Sequence, residues 1–159
     1  MMFTQKYTII CPIERLAEGQ LFESTHWPLH TTIADTFAVN AMDEDFISQI
    51  QRLVKGQTFA VVGKELAYFG KNAAVEVMIL QDSPELYTLH SDLIDLLLEK
   101  GAIFNDPQYT KDGFIGHVTR QESKRLDVDE RAEFSAVAII DMFPERNANK
   151  RRVIKVINF

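Results

Sequence analysis

The sequence predicts an α+β fold in which antiparallel sheets carry packed helices. Three observations predict it. Strand-like segments occur in pairs joined by turn residues, single amphipathic helices separate those pairs, and each half of the chain repeats one strand with a helix near it. The expected order is β-β-α-β-β-α-β-(α)-β-β.

Lys6–Ile13, KYTIICPI, is β-branched and apolar, hence a strand; Pro12 and Gly19 punctuate the loop that runs to Pro28. Leu29–Val39 alternates as a second strand. Met42–Lys55 is the first helix, because Phe46, Ile47, Ile50, Leu53 and Val54 fall on one face of a 3.6-residue period. Asn40 is placed to cap its start and Gly56 to end it. Phe59–Phe69 and Ala73–Leu80 form a hairpin around Gly70-Lys71-Asn72. The second helix opens with Ser83 as N-cap and Pro84 at its first position, and closes before Gly101. Leu86, Leu89, Leu93 and Leu97 line its buried side. Phe114–Arg120 is a strand, Gln121–Glu133 a short helix plus turn, and Phe134–Phe143 with Val153–Phe159 a closing hairpin.

No low-complexity tract or linker divides the 159 residues, so residues 1–159 are expected to form one domain. The 46% hydrophobic and 25% charged composition is that of a water-soluble protein with a sizeable core. The single cysteine, Cys11, excludes an internal disulfide and suits a reducing compartment. No apolar run reaches the ~18 residues of a membrane span, and MMFTQKYTII lacks the pattern of a secretory leader. A cytoplasmic location with no membrane partner is the expectation. The net charge of −6 argues against gripping long duplex nucleic acid, yet leaves open a mononucleotide or short oligonucleotide.

Two of the four histidines are followed, two places on, by threonine: His30-Thr31-Thr32 in LHTTI and His117-Val118-Thr119 in GHVTR. Both lie in strand-like segments, where residues i and i+2 share a face. His30 therefore points with Thr32, and His117 with Thr119. Histidine exchanges a proton near neutrality, and a hydroxyl holds a phosphate oxygen. Two such units flanking one phosphate supply a base for attacking water and an acid for the departing ribose oxygen. That chemistry calls for no metal or other cofactor.

On these tetrads, with histidines 87 positions apart, the chain resembles the two-histidine (2H) phosphoesterase superfamily, which includes bacterial 2′-5′ RNA ligases and 2′,3′-cyclic nucleotide phosphodiesterases. Thr31 and Arg120 stand where that pattern usually has apolar residues. The resemblance implies a bilobal fold, with duplicated antiparallel sheets, flanking helices, and the tetrads on facing strands of a central cleft. It implies hydrolysis of a 2′,3′-cyclic phosphate on a nucleotide or RNA end. By analogy His30 is the acid and His117 the base, an order that is reversible. The rivals are a 2′-5′ RNA ligase or phosphodiesterase, and a non-catalytic module that binds nucleotide phosphates.

Other residues receive plainer readings. His90 flanks the buried side of the second helix. His26 and His30 have the spacing of a helical metal pair, but Pro28 spoils the helix and no carboxylate or cysteine completes a site. Tyr109, in a loop, is the candidate for stacking on a base; Trp27 reads as core or rim packing, and Phe114 is expected to face away from His117. Lys6, Lys111 and Arg120 read as solvated charge, Lys150-Arg151-Arg152 as an exposed turn, and Asp35 as a solvated strand end.

Overall fold

The computed structural model describes residues 5–159; Met1–Thr4, the start of the segment read above for a leader, lie outside the described residues. The chain runs β1 (Lys6–Pro12), β2 (Leu21–Glu23), β3 (His30–Ala38), α1 (Glu44–Val54), β4 (Phe59–Phe69), β5 (Val75–Leu80), α2 (Pro84–Glu99), β6 (Ile103–Phe104), β7 (His117–Thr119), β8 (Arg131–Phe134), β9 (Ala136–Asp141) and β10 (Lys150–Asn158). The strands form two antiparallel sheets. One has the order β2-β10-β9-β1-β3-β6, the other β7-β5-β4-β8. This is the α+β, two-sheet architecture that the sequence predicts.

The large sheet is covered on both faces. On one, Ile9, Ile33, Phe37, Val137 and Ile139 pack with Phe46, Ile50 and Val54 of α1 and Leu86, Leu89, Leu93 and Leu97 of α2. The same core continues into the small sheet through Val61, Met78, Leu80 and Val118. On the other face Ile10, Ala138, Ile140 and Val153 pack with Leu16, Phe22 and Trp27, all from the stretch between β1 and β3. Burying these side chains, at ~1.5–3 kcal/mol each, is what drives the sheets together.

The chain passes from one sheet to the other within three residues. Phe134 pairs with Phe59 in the small sheet, Ala136 with Asn158 in the large one, and between them the Ser135 carbonyl accepts the Phe159 N–H at 2.9 Å. The expected helix over Gln121–Glu133 is absent. A two-residue bridge between Gln121 and Lys124 and then β8 stand in its place. Ala132 and Phe134 are buried while Arg131 and Glu133 are exposed, so β8 obeys a two-residue period over too few residues to stand out.

The boundaries of α2 are those expected. Ser83 Oγ accepts the Leu86 N–H at 3.2 Å, Pro84 opens the helix, and Gly101 takes φ +83°. Helix α1 starts later than expected. Asp43, not Asn40, is its cap, accepting the Phe46 N–H at 2.9 Å. A carboxylate cap followed by Glu44 and Asp45 favours the positive end of the helix dipole more than a neutral amide does. No helix among the described residues is long and apolar enough to cross a membrane.

Candidate active site

Each His-x-Thr unit opens a strand, and the two strands belong to different sheets. In β3, Pro12 pairs with His30, Cys11 with Thr31 and Ile10 with Thr32. In β7, Ile79 pairs with His117, Met78 with Val118 and Val77 with Thr119. Thr31 and Val118 are buried in the core, while His30, Thr32, His117 and Thr119 are partly exposed. The alternation expected from a two-residue period is therefore observed in both units. Strands β3 and β7 lie against each other where the two sheets meet.

The imidazoles are anchored alike. His30 Nδ1 donates to the Pro28 carbonyl at 2.7 Å, and His117 Nδ1 donates to the Ile115 carbonyl at 2.7 Å, in each case two residues back. A carbonyl only accepts, so Nδ1 must carry the proton and Nε2 is the nitrogen left for chemistry. Each ring also has one aromatic neighbour at 5.1 Å between centroids: Trp27, tilted, beside His30, and Phe69, edge-on, beside His117. Fixed tautomers and packed rings are the requirements of positioned acid–base groups.

A cavity of about 460 Å³ opens between the sheets, within the range of small-ligand sites. Thr32, His117, Thr119 and Tyr109 line it. His30 is not among the lining residues; it stands two positions before Thr32 on β3. Tyr109 ends a short 3-10 turn and is 55% exposed at the rim.

Electrostatics ties the two imidazoles together. Desolvation pushes the pKa of His30 down to about 4; the Pro28 carbonyl opposes the fall and the charge of His117 adds to it. His30 is therefore neutral at physiological pH. Among the described residues no lysine or arginine lines the cavity. Lys111 Nζ is held by Ser91 and Asp95, Arg120 by the Glu122 carbonyl and Glu76, and Lys6 by Asn105. Lys150 pairs with Glu23 and Arg152 with Glu145, while the Arg151 guanidinium lies 5.8 Å from the Trp27 ring. Among the described residues, no three His, Cys, Asp or Glu side chains converge as a metal-ligand set. His26 is held instead by Thr25 and Glu122.

The profile of the 2′-5′ RNA ligase superfamily matches residues 9–138, which contain both tetrads. The chain belongs to this superfamily. Solved structures with the superfamily's fold include Escherichia coli LigT, described as complexed with 3′-AMP (13% identity over 98% of both chains, TM-score 0.57). The Thermus thermophilus protein TT0787 aligns at 14% identity over 98% of this chain and 97% of that one, with TM-score 0.58. Usb1 of Kluyveromyces marxianus aligns at 9% identity over 97% and 98%, with TM-score 0.52. A search of curated proteins found no significant match. As a 2H phosphoesterase superfamily member, the chain falls in a class of phosphoesterase- and ligase-like enzymes.

Three cavity residues differ from their sequence reading. Phe114 does not face away from His117 but lines the same cavity, because β7 starts only at His117 and a 3-10 turn precedes Phe114, so strand alternation does not apply to it. His90 is not merely a flank of α2. Its Nδ1 donates to the Ile33 carbonyl at 2.6 Å, its Nε2 accepts the Lys111 N–H at 2.9 Å, and its ring stacks on Phe114 at 3.8 Å. It fastens the Tyr109–Gly113 loop to β3. Gly113 closes that loop, since a Cβ there would strike the Gln108 carbonyl.

Asp35 is the third. Opposite β1, Ile10 pairs with Thr32 but Ile9 pairs with Ala34, so Ile33 is an extra residue in β3. A β-bulge of this kind shifts the parity of the side chains that follow it, here as far as a second register shift between Ala34 and Phe37. Without it Asp35 would face away from Thr32; with it, Thr32, Ile33 and Asp35 all line the cavity. No period in the sequence announces a bulge.

Proposed function

We propose that this protein hydrolyses 2′,3′-cyclic phosphodiesters on nucleotides or RNA ends by acid–base catalysis between His30 and His117. The observation that carries the reading is the matched anchoring of the two rings: each Nδ1 is committed to a backbone carbonyl, leaving each Nε2 for chemistry, with a threonine two residues on in the same strand. His30, neutral because its pKa is lowered to about 4, takes a proton from water through Nε2. The resulting hydroxide attacks phosphorus in line with one bridging ribose oxygen. His117, which enters the cycle with protons on both ring nitrogens, gives its Nε2 proton to that oxygen as its bond to phosphorus breaks, leaving a monoester and a ribose hydroxyl. This order reverses the one expected from the resemblance, for a group that starts the cycle unprotonated is suited to accept a proton. Thr32 and Thr119 donate to the non-bridging oxygens as charge grows on them, and Tyr109 stacks on the base. Protons balance without a metal ion or other cofactor.

The modest size of the cavity and the lack of lysine or arginine along it among the described residues favour a mononucleotide or a short RNA end over a long strand. The description of the superfamily favours a second reading, in which the same two groups cleave or join 2′-5′ phosphodiester bonds.

The test is incubation with 2′,3′-cyclic mononucleotides in chelator, followed by ³¹P NMR. Monoester should form at a rate the chelator leaves unchanged, and His30→Ala and His117→Ala should each lower it by about 10²–10⁴-fold. Full activity in either variant would end the scheme. Faster cleavage of a 2′-5′ dinucleotide would select the second reading, and binding without turnover would make this a phosphate-binding module.

A further inference from the structure

We infer that Asp35 selects the base of the bound nucleotide, and that the base it selects is guanine; the inference rests on the proposal that a nucleotide occupies this cavity.

The phosphate end of the cavity is set by Thr32, His117 and Thr119. Asp35 stands three residues beyond Thr32, roughly 10 Å along the strand, a span comparable with that from a nucleotide's phosphate to the far edge of its base. A carboxylate repels phosphate, so it belongs at the opposite end of the ligand. Tyr109 is placed at that end as well. The Lys111 N–H bonds to His90, His90 bonds to the Ile33 carbonyl, and the Asn105 N–H donates to the Thr36 carbonyl at 3.0 Å. These links run segment 105–111 beside residues 33–36 of β3, bringing an aromatic ring and a carboxylate to one end of one cavity.

Asp35 is uncommitted. Its Oδ1 accepts the Thr36 N–H at 2.9 Å, and among the described residues it takes part in no ion pair. Among the described residues no lysine or arginine lines the cavity, and Asp35 is partly exposed, so its carboxylate is open to solvent and to a bound ligand. An ionised carboxylate only accepts hydrogen bonds, and its two oxygens lie side by side. Guanine alone among the four bases offers two adjacent donors on its Watson–Crick edge, N1–H and the N2 amino group. Adenine and cytosine each pair one donor with an acceptor that a carboxylate repels, and the single N3–H of uracil lies between two carbonyls.

Isothermal titration with guanosine and adenosine 3′-monophosphates tests this without requiring turnover. The wild-type protein should bind the guanosine compound at least about tenfold more tightly. Asp35→Asn keeps the acceptor for the Thr36 N–H but presents one donor and one acceptor, so the preference should move towards adenosine. Equal binding by the wild-type protein, or a guanosine preference unchanged in Asp35→Asn, overturns the inference. Cyclic-nucleotide turnover is read in parallel. Discrimination without turnover removes the catalytic proposal and keeps the base assignment; turnover without discrimination does the reverse.

Discussion

The lowered pKa of His30 makes a quantitative statement about the pH dependence of the proposed reaction. Only the unprotonated ring takes a proton from water, so the acid limb of kcat/KM should follow the free-enzyme titration of His30, displaced from 6.5 to about 4. At about pH 5.5 an ordinary imidazole would be about one tenth neutral, whereas His30 would be almost wholly so. The retained rate at that pH should therefore exceed that of an unperturbed base by about tenfold. Initial rates on a 2′,3′-cyclic mononucleotide from about pH 3.5 to about pH 8, a range that brackets both the lowered and the ordinary histidine titration, measure it. An acid limb near 6.5 would refute the assignment of His30 as base. The same shift has a stability consequence. Between about 4 and 6.5 the unfolded chain binds more protons at this position than the folded one, so stability falls as pH drops through that window and the loss is complete below about 4. At about 1.36 kcal/mol per pH unit the shift corresponds to about 3 kcal/mol as an upper bound, reduced to ~1–2 kcal/mol because the ring is partly solvated. In His30→Gln this part of the pH dependence should vanish from denaturant titrations.

Three further outcomes follow from the geometry. Thr32→Val and Thr119→Val, which keep shape but remove a donor, should each lower kcat by ~10–10³-fold with little change in Tm; unaltered kcat would remove the hydroxyls from the proposed site. His90→Leu strands the Ile33 carbonyl and the Lys111 N–H, and should cost ~2–4 kcal/mol in urea unfolding while raising KM through the loosened Tyr109 loop; wild-type stability would show that the clamp is not needed. Thr31→Val should stabilise the protein by ~1 kcal/mol, because Thr31 Oγ1 is buried with no hydrogen-bond partner among the described residues; a loss of stability would mean that the hydroxyl is satisfied in solution.

What the sequence disclosed depended on whether the signal was local. Helix α2 was legible at both ends because Ser83, Pro84 and Gly101 act through their own backbone neighbours. Helix α1 was legible in its apolar face but not in its cap, since Asn40 and Asp43 are both eligible and only the tertiary path chooses between them. The two tetrads stood out because a two-residue period survives from His30 to Thr32 and from His117 to Thr119. It fails one residue later in β3, where the bulge at Ile33 turns Asp35 into the cavity, and it never applied to Phe114. Strands β2 and β6 span three and two residues and exist through their partners β10 and β3. His90 and Phe69 take their places from contacts between segments far apart in the chain, which no spacing in the sequence encodes.

The direct test of a phosphate shared by His30 and His117 is a ¹⁵N NMR titration of the imidazoles with a nucleoside 2′-monophosphate. Both Nε2 resonances should move along one saturation curve with a common Kd, while both Nδ1 atoms keep their protons. Movement of one ring alone, or two separate dissociation constants, would contradict the account.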